Sequence, residues 1–379
     1  MLKKLFIFNL LILLSFNSFS NDIFHDIIKS NLGSKIKVAL TTYKNKTIYI
    51  KVTNGDATIL LDDQKIGIND GEVLRLTSSY QKTFYKNRGY NKISLEKSSI
   101  LTLFEISKNR KNFNKYRGNF LIINEKGLLI PINKISAEEY LYGVLPGELP
   151  NNFPDEAIKA QAVAARTYMY YNLNHSKYKE YDLTDHTNSQ VYLGYDRENP
   201  IMNKMINETS NEVIKYNGKP IEALFTADAG GYTADPKYIW GKSIPYLKAF
   251  SDAGNEIYSS RKNWSYEITL SKLSDIFGFD IDNIKVLDYK NKRAVLILLE
   301  GAINKKISGQ KLRSIVGYTN IFSTYFKIER NGNKIIFNGH GSGHGLGLSQ
   351  WGAYAMAKKG EKYKEILLHY YKGVVIGKI

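Results

Sequence analysis

The chain contains no cysteine in its 379 residues. That absence excludes a thiolate zinc centre and a lipid-modified cysteine behind a leader, and at this length a core forms without covalent staples. Other metal ligands are also short. His340 and His344 would share a face only on a helix, the glycines between them oppose one, and no Asp or Glu occurs between Arg330 and Glu361. No metal and no cofactor are therefore expected. No Gly-x-Ser-x-Gly elbow is present, Ser342 standing only in Gly-Ser-Gly, and no glycine-rich loop leads into Lys-Ser or Lys-Thr. Serine-hydrolase and nucleotide-loop chemistry are set aside on that basis.

Negative charge is scarce: 36 Asp and Glu face 53 Lys and Arg, a formal net charge of +17 spread without long blocks. Anionic partners are favoured. Long apolar runs are missing too, apart from residues 5–16, which follow Lys3 and Lys4 and are broken by Asn9. That run is shorter than the ~20 residues needed to span a bilayer. Ser18 and Ser20 place small side chains before a cleavage point, so residues 1–20 read as a secretory signal peptide. The mature chain is expected to be exported to the periplasm or cell wall, with no stable membrane insertion. There it meets anionic wall polymers, and nucleic acid is not expected as a partner.

Between about 36 and 120 the chain alternates or runs β-branched at 47–52, 57–61 and 100–104, with turns at Asn54-Gly55, Asn69-Asp-Gly71 and Arg88-Gly89. This predicts a β-rich module, and strands continue at 118–123 and 128–132. Ser136-Ala-Glu-Glu139 is a capping-box pattern that opens a short helix, which Pro146-Gly147 is expected to interrupt. Pro154, Asp155 and Glu156 then start a long helix whose stripe Ile158, Ala162, Ala165 and Met169 is small enough for close packing. Further helices are expected at 201–213, 270–277, 309–316, 349–358 and 363–371, and a buried strand at 221–226. The fold class is α+β.

What is abundant is glycine around histidine. In residues 339–347 five glycines alternate around His340 and His344, and Ser349, Gln350 and Trp351 follow at once. Each glycine gives up packing and costs backbone entropy, so the run fits a backbone that is closely approached or holds positive φ. Glu148 is the candidate catalytic group. It lies between Gly147 and Pro150 beside Val144, Leu145 and Leu149, and an apolar surround would favour the protonated carboxyl that a general acid needs. Spacing alone equally allows a carboxylate serving the dipole of the helix after Pro154.

Several ordered stretches resemble the SpoIID/LytB family. They are Glu139-Tyr-Leu-Tyr-Gly-Val-Leu-Pro-Gly-Glu-Leu-Pro150, the run from Pro154 through Ala-Ala-Arg166-Thr-Tyr168, Ser189-Gln-Val-Tyr-Leu-Gly194, Ala229-Gly-Gly-Tyr-Thr-Ala234 and Gly343-His-Gly-Leu-Gly-Leu-Ser-Gln-Trp-Gly-Ala353. The resemblance covers about residue 117 to the C-terminus. It implies a SpoIID-like domain at 117–379 behind a β-rich module at 21–116. It further implies a peptidoglycan lytic transglycosylase acting on glycan strands or, alternatively, a non-catalytic enhancer of a wall amidase. The family's catalytic glutamate falls on Glu148, and its matched motifs imply substrate contacts at Gln161, Arg166, Tyr168, Gln190, Tyr192, Gly230, Gly231, His344, Ser349 and Gln350. The serine and the aromatic that often precede the paired glycines and Gly-His-Gly are Ala229 and Ser342 here. Arg166 is expected to face the free lactyl carboxylate of a peptide-free strand, since a cation beside Glu148 would spoil the acid. Asp185 and Asp228 are candidate second carboxylates, with turn roles the more expected. His175 and His186 are expected at the surface, and Trp240 and Tyr246 in the core, with sugar platforms as the alternative for these two aromatics.

Overall fold

A computed structural model describes residues 35–187 and 189–379. The signal-peptide reading therefore lies outside the described residues. Contacts divide the described residues into two compact units: 35–144 with 176–187, 189–197 and 379, and 145–175 with 198–378.

The first unit carries a seven-stranded and a six-stranded sheet. In Thr47–Thr53 every second side chain is buried, the period-2 signature that the sequence carried. The strands Asn119–Glu125 and Leu128–Ile135 pair with each other, and Asn119–Glu125 pairs with Ile93–Lys97. By contact these two strands lie in the first unit, although the resemblance groups their residues with the C-terminal domain.

The helix Ala137–Glu148 starts on the expected capping box, with Ser136 Oγ 2.8 Å from Glu139 Oε2. It continues through Pro146, however, and Leu149 N–H still donates to the Leu145 carbonyl at 2.9 Å. The expected interruption is absent because a proline deletes one N–H of the ladder without ending it, and here only half a turn remains. Glu148 is thus the last residue of a helix, and not a loop residue.

The second unit is organised around the helix Asp155–Asn174, whose side chains from Ala157 to Thr167 are buried at every position except Lys159. Its alanines allow close packing of Pro200–Glu208, Glu212–Tyr216, Gln350–Lys358 and Tyr363–Tyr370. The helix expected over 201–213 stops at Glu208, and Glu212–Tyr216 is a strand, because Asn211 takes a positive φ of 61°. The strand expected over 221–226 is reduced to Phe225–Thr226, paired in parallel with Leu348–Ser349. Residues 264–339 build two three-stranded sheets and the helices Leu270–Phe277 and Gly309–Val316 around their own core, which includes Phe326, Phe337, Leu273 and Leu312.

Candidate active site

Glu148 is half-buried at the end of its helix. Its charge bears on Tyr168, one of the family-implied positions, whose hydroxyl is pushed up first by burial and then by Glu222, Tyr171 and Glu148. Glu222 is a carboxylate that the sequence did not single out. It also bears on Tyr171 and Tyr246, pairs with Lys242 at 3.3 Å, and its backbone N–H donates to the Tyr246 hydroxyl at 3.0 Å. Glu148, Tyr168 and Glu222 thus form one electrostatic neighbourhood. No local pattern around Glu222 marks it, because its segment reads as an ordinary buried strand.

The glycine run solves a packing problem inside the protein. Asp228 and Ser342 exchange both backbone hydrogen bonds at 2.9 Å, and Ala234 N–H reaches the Gly345 carbonyl at 2.7 Å. A Cβ on Gly341, at φ 72°, would lie 2.7 Å from the Asp228 carbonyl oxygen, and one on Gly230, at φ 70°, would lie 2.8 Å from the His340 carbonyl carbon. What approaches the run so closely is the 226–234 segment, with Gly230 and Gly231 among its residues. Beneath both lies Arg293, fully buried, whose Nη2 donates to the carbonyls of Ala229 at 2.8 Å and Tyr232 at 3.0 Å. Its Nε and Nη1 have no hydrogen-bond partner among the described residues, and burial brings its pKa down to about 10.

His344 is half-buried within electrostatic reach of Arg293. Burial first, then Arg293 and Arg313, push it down to about 4, so it is neutral at pH 7. Its Nδ1 accepts from Leu346 N–H at 3.0 Å, which leaves the proton of the neutral ring on Nε2. The Trp240 ring lies 5.8 Å from it and is 47% exposed. Trp240 is therefore not the core residue that its type suggested, and its indole is available beside a neutral imidazole. Tyr246 is half-buried.

A family description, Stage II sporulation protein, matches residues 125–216. An uncharacterized protein of Brachyspira hyodysenteriae is 34% identical over 270 residues, covering 69% of this chain and 72% of that one. Stage II sporulation protein D of Bacillus amyloliquefaciens is 31% identical over 264 residues, covering 65% of this chain and 75% of its own. The chain belongs to the SpoIID family. It also resembles the amidase enhancer of Bacillus subtilis, 29% identical over 288 residues, covering 62% of this chain and 40% of the enhancer.

Within the stretch matched by the SpoIID description, the family-implied positions have different fates. Arg166 is wholly buried, and its guanidinium donates to the carbonyls of Ile206 at 3.1 Å and Glu212 at 3.2 Å. The expectation that it faces a substrate carboxylate does not hold in this structure, because these donors point at backbone inside the second unit. Gln161 is 1% exposed, and neither amide atom has a hydrogen-bond partner among the described residues. Gln190 and Tyr192 lie in the first unit, buried, where Tyr140 donates to Gln190 at 3.4 Å and Tyr192 to Asn133 at 2.9 Å.

Outside that stretch, Ser349 caps Gln350–Lys358 through Gly352 N–H at 3.3 Å and also accepts from Ala229 N–H at 3.1 Å. Gln350 is buried at the first position of that helix. Asp185 is buried and accepts from Thr41 and Thr42, a long-range contact and not the local turn role expected of it. Asp228 is buried, accepts from Gly230 N–H at 2.7 Å, and is raised by burial. His175 is exposed and stacked on Tyr171, and His186 is half-buried.

Proposed function

We propose that this SpoIID-family protein is an exported cell-wall enzyme, a lytic transglycosylase that cleaves peptidoglycan glycan strands with Glu148 as its one acid and base. The observation that carries the reading is the position of Glu148: a half-buried residue at a helix C-terminus, where the helix dipole opposes negative charge, with its charge bearing on the Tyr168 hydroxyl. Membership of the family supports the same assignment. The protonated carboxyl gives its proton to the oxygen between N-acetylmuramic acid and N-acetylglucosamine as the C1–O bond breaks. The muramic 6-hydroxyl then closes on C1 and returns its proton to Glu148, leaving a 1,6-anhydro end. The exposed Trp240, whose ring lies 5.8 Å from the neutral His344, supplies a stacking group for the sugars.

Glu222 bears on the choice between lytic and hydrolytic cleavage, because hydrolysis uses a second carboxylate. Asp185 is held by the Thr41–Thr42 turn and Asp228 lies under the glycine run. The name of the amidase enhancer relative favours one other reading, a wall-binding partner of an amidase without turnover of its own. The test is mass spectrometry of ends released from peptide-free strands and intact peptidoglycan by the protein and by Glu148→Gln. Anhydro ends that fall by at least about 100-fold in Glu148→Gln support the lytic route. Reducing ends lost in Glu222→Gln point to hydrolysis, and binding without released ends supports the enhancer role.

A further inference from the structure

The 264–339 region carries a cleft of about 650 Å3 that the proposed chemistry does not use. One wall is the outer face of a sheet. Tyr325 and Lys327 alternate with the buried Phe326, and Asn338 and His340 flank Gly339 on the neighbouring strand. Lys327 lies opposite Asn338, and His340 N–H donates to the Tyr325 carbonyl at 2.8 Å. Since strand side chains alternate in direction, Phe326 and Phe337 fill the core while Tyr325, Lys327, Asn338 and His340 share the open face. The second wall is the end of the Ile281–Lys290 and Arg293–Gly301 hairpin, with Tyr289 44% exposed and Lys292 at the turn.

Three properties define what fits. Tyr289, Tyr325 and His340 provide flat rings, the last two 4.8 Å apart. Lys292 and Lys327 line the cleft, and no Asp or Glu among the described residues does. His340 Nδ1 must donate to the Lys262 carbonyl, 3.1 Å away, so Nε2 of the neutral ring remains as an acceptor for a hydroxyl. Lys292 also holds φ 63° at the second turn position, where glycine is the usual occupant. The chain thus places a cation at the rim in a backbone conformation that lysine rarely takes.

We propose that this cleft is a second saccharide site, separate from Glu148, that holds a glycan strand through its carboxylates. The sugar faces lie on the tyrosines, the two ammonium groups meet free lactyl carboxylates, and Asn338 and His340 take hydroxyl or acetamido groups. The volume suits a short run of sugar units. The identity of the glycan rests on the proposed function, but the cleft's preference for an anionic saccharide does not.

The experiment measures binding of peptide-free glycan strands to the full chain carrying Glu148→Gln, alone and with Lys292→Gly plus Lys327→Gln or with Tyr289→Ala. The φ at 292 accommodates glycine, so the double variant should fold. We expect its dissociation constant to rise about tenfold at low salt, as two solvent-screened charge contacts are lost, with a smaller rise for Tyr289→Ala. Strands whose lactyl carboxylates have been reduced to alcohols should bind the Glu148→Gln protein as weakly as native strands bind the double variant. Undiminished binding by the double variant, equal binding of reduced strands, or preference for a glycerol phosphate polymer would each overturn the inference. Release of ends by the unsubstituted protein is scored separately. Cleavage with undiminished binding by the double variant sinks this site alone, and lost binding without any cleavage sinks the enzymatic reading alone.

Discussion

The long helix of the second unit and the crossing beneath the glycine run each enclose an arginine completely, yet the two surroundings differ. Arg166 donates to carbonyls at the end of Pro200–Glu208 and the start of Glu212–Tyr216, where a helix C-terminus welcomes a cation. Arg293 has Nε and Nη1 unpartnered among the described residues and lies within electrostatic reach of Asp228, Arg313 and His344. Burial is equal in the two, so burial alone does not mark a functional cation. The company it keeps does, because a buried charge acts on every titratable group near it.

The contrast can be broken most strongly by Arg293→Ala, which strands the Ala229 and Tyr232 carbonyls and removes a buried charge within electrostatic reach of Asp228. We expect a loss of about 3–5 kcal/mol in urea unfolding at pH 7, against about 2–3 kcal/mol for Arg166→Ala, which strands the Ile206 and Glu212 carbonyls. Equal losses would erase the distinction. A pH series sharpens it next. The His344 ring stays neutral down to about 4 when folded, whereas an unfolded histidine takes its proton near 6.5. Its contribution is full above 6.5 and is lost as pH falls through that window, by up to about 3 kcal/mol. In Arg293→Met the His344 pKa, followed by NMR, should rise. The smallest effect is expected for Ser349→Ala, about 1–2 kcal/mol, through the lost helix cap and the Ala229 N–H left unpaired. A loss near zero would show that water replaces both contacts.

Much of the local structure was legible beforehand. The capping box at Ser136, the helix from Asp155 and the alternation in Thr47–Thr53 are properties of neighbouring residues, and the structure has all three. The glycine run was legible as a place of close approach, but its partner was not, since the 226–234 segment lies more than a hundred residues away in sequence. Trp240 and Arg166 exchanged their expected places for a related reason. Residue type states a preference for core or surface, while the element packed alongside decides it. Pro146 misled because a proline near a helix end costs little of the ladder.

By itself the sequence determined the α+β class, the family, the starts of the main helices and the positions of Glu148 and His344 in motifs, because each follows from short-range spacing or from matched order along the chain. Only the tertiary structure decided that the charges of Glu222 and Glu148 both bear on Tyr168, that Arg293 sits under the glycine run and adds to burial in lowering His344, and that Arg166 turns inward. Those depend on distances between residues far apart in the chain. Electrostatic and hydrogen-bond energies are set by such distances and by burial, and neither is written in any local pattern.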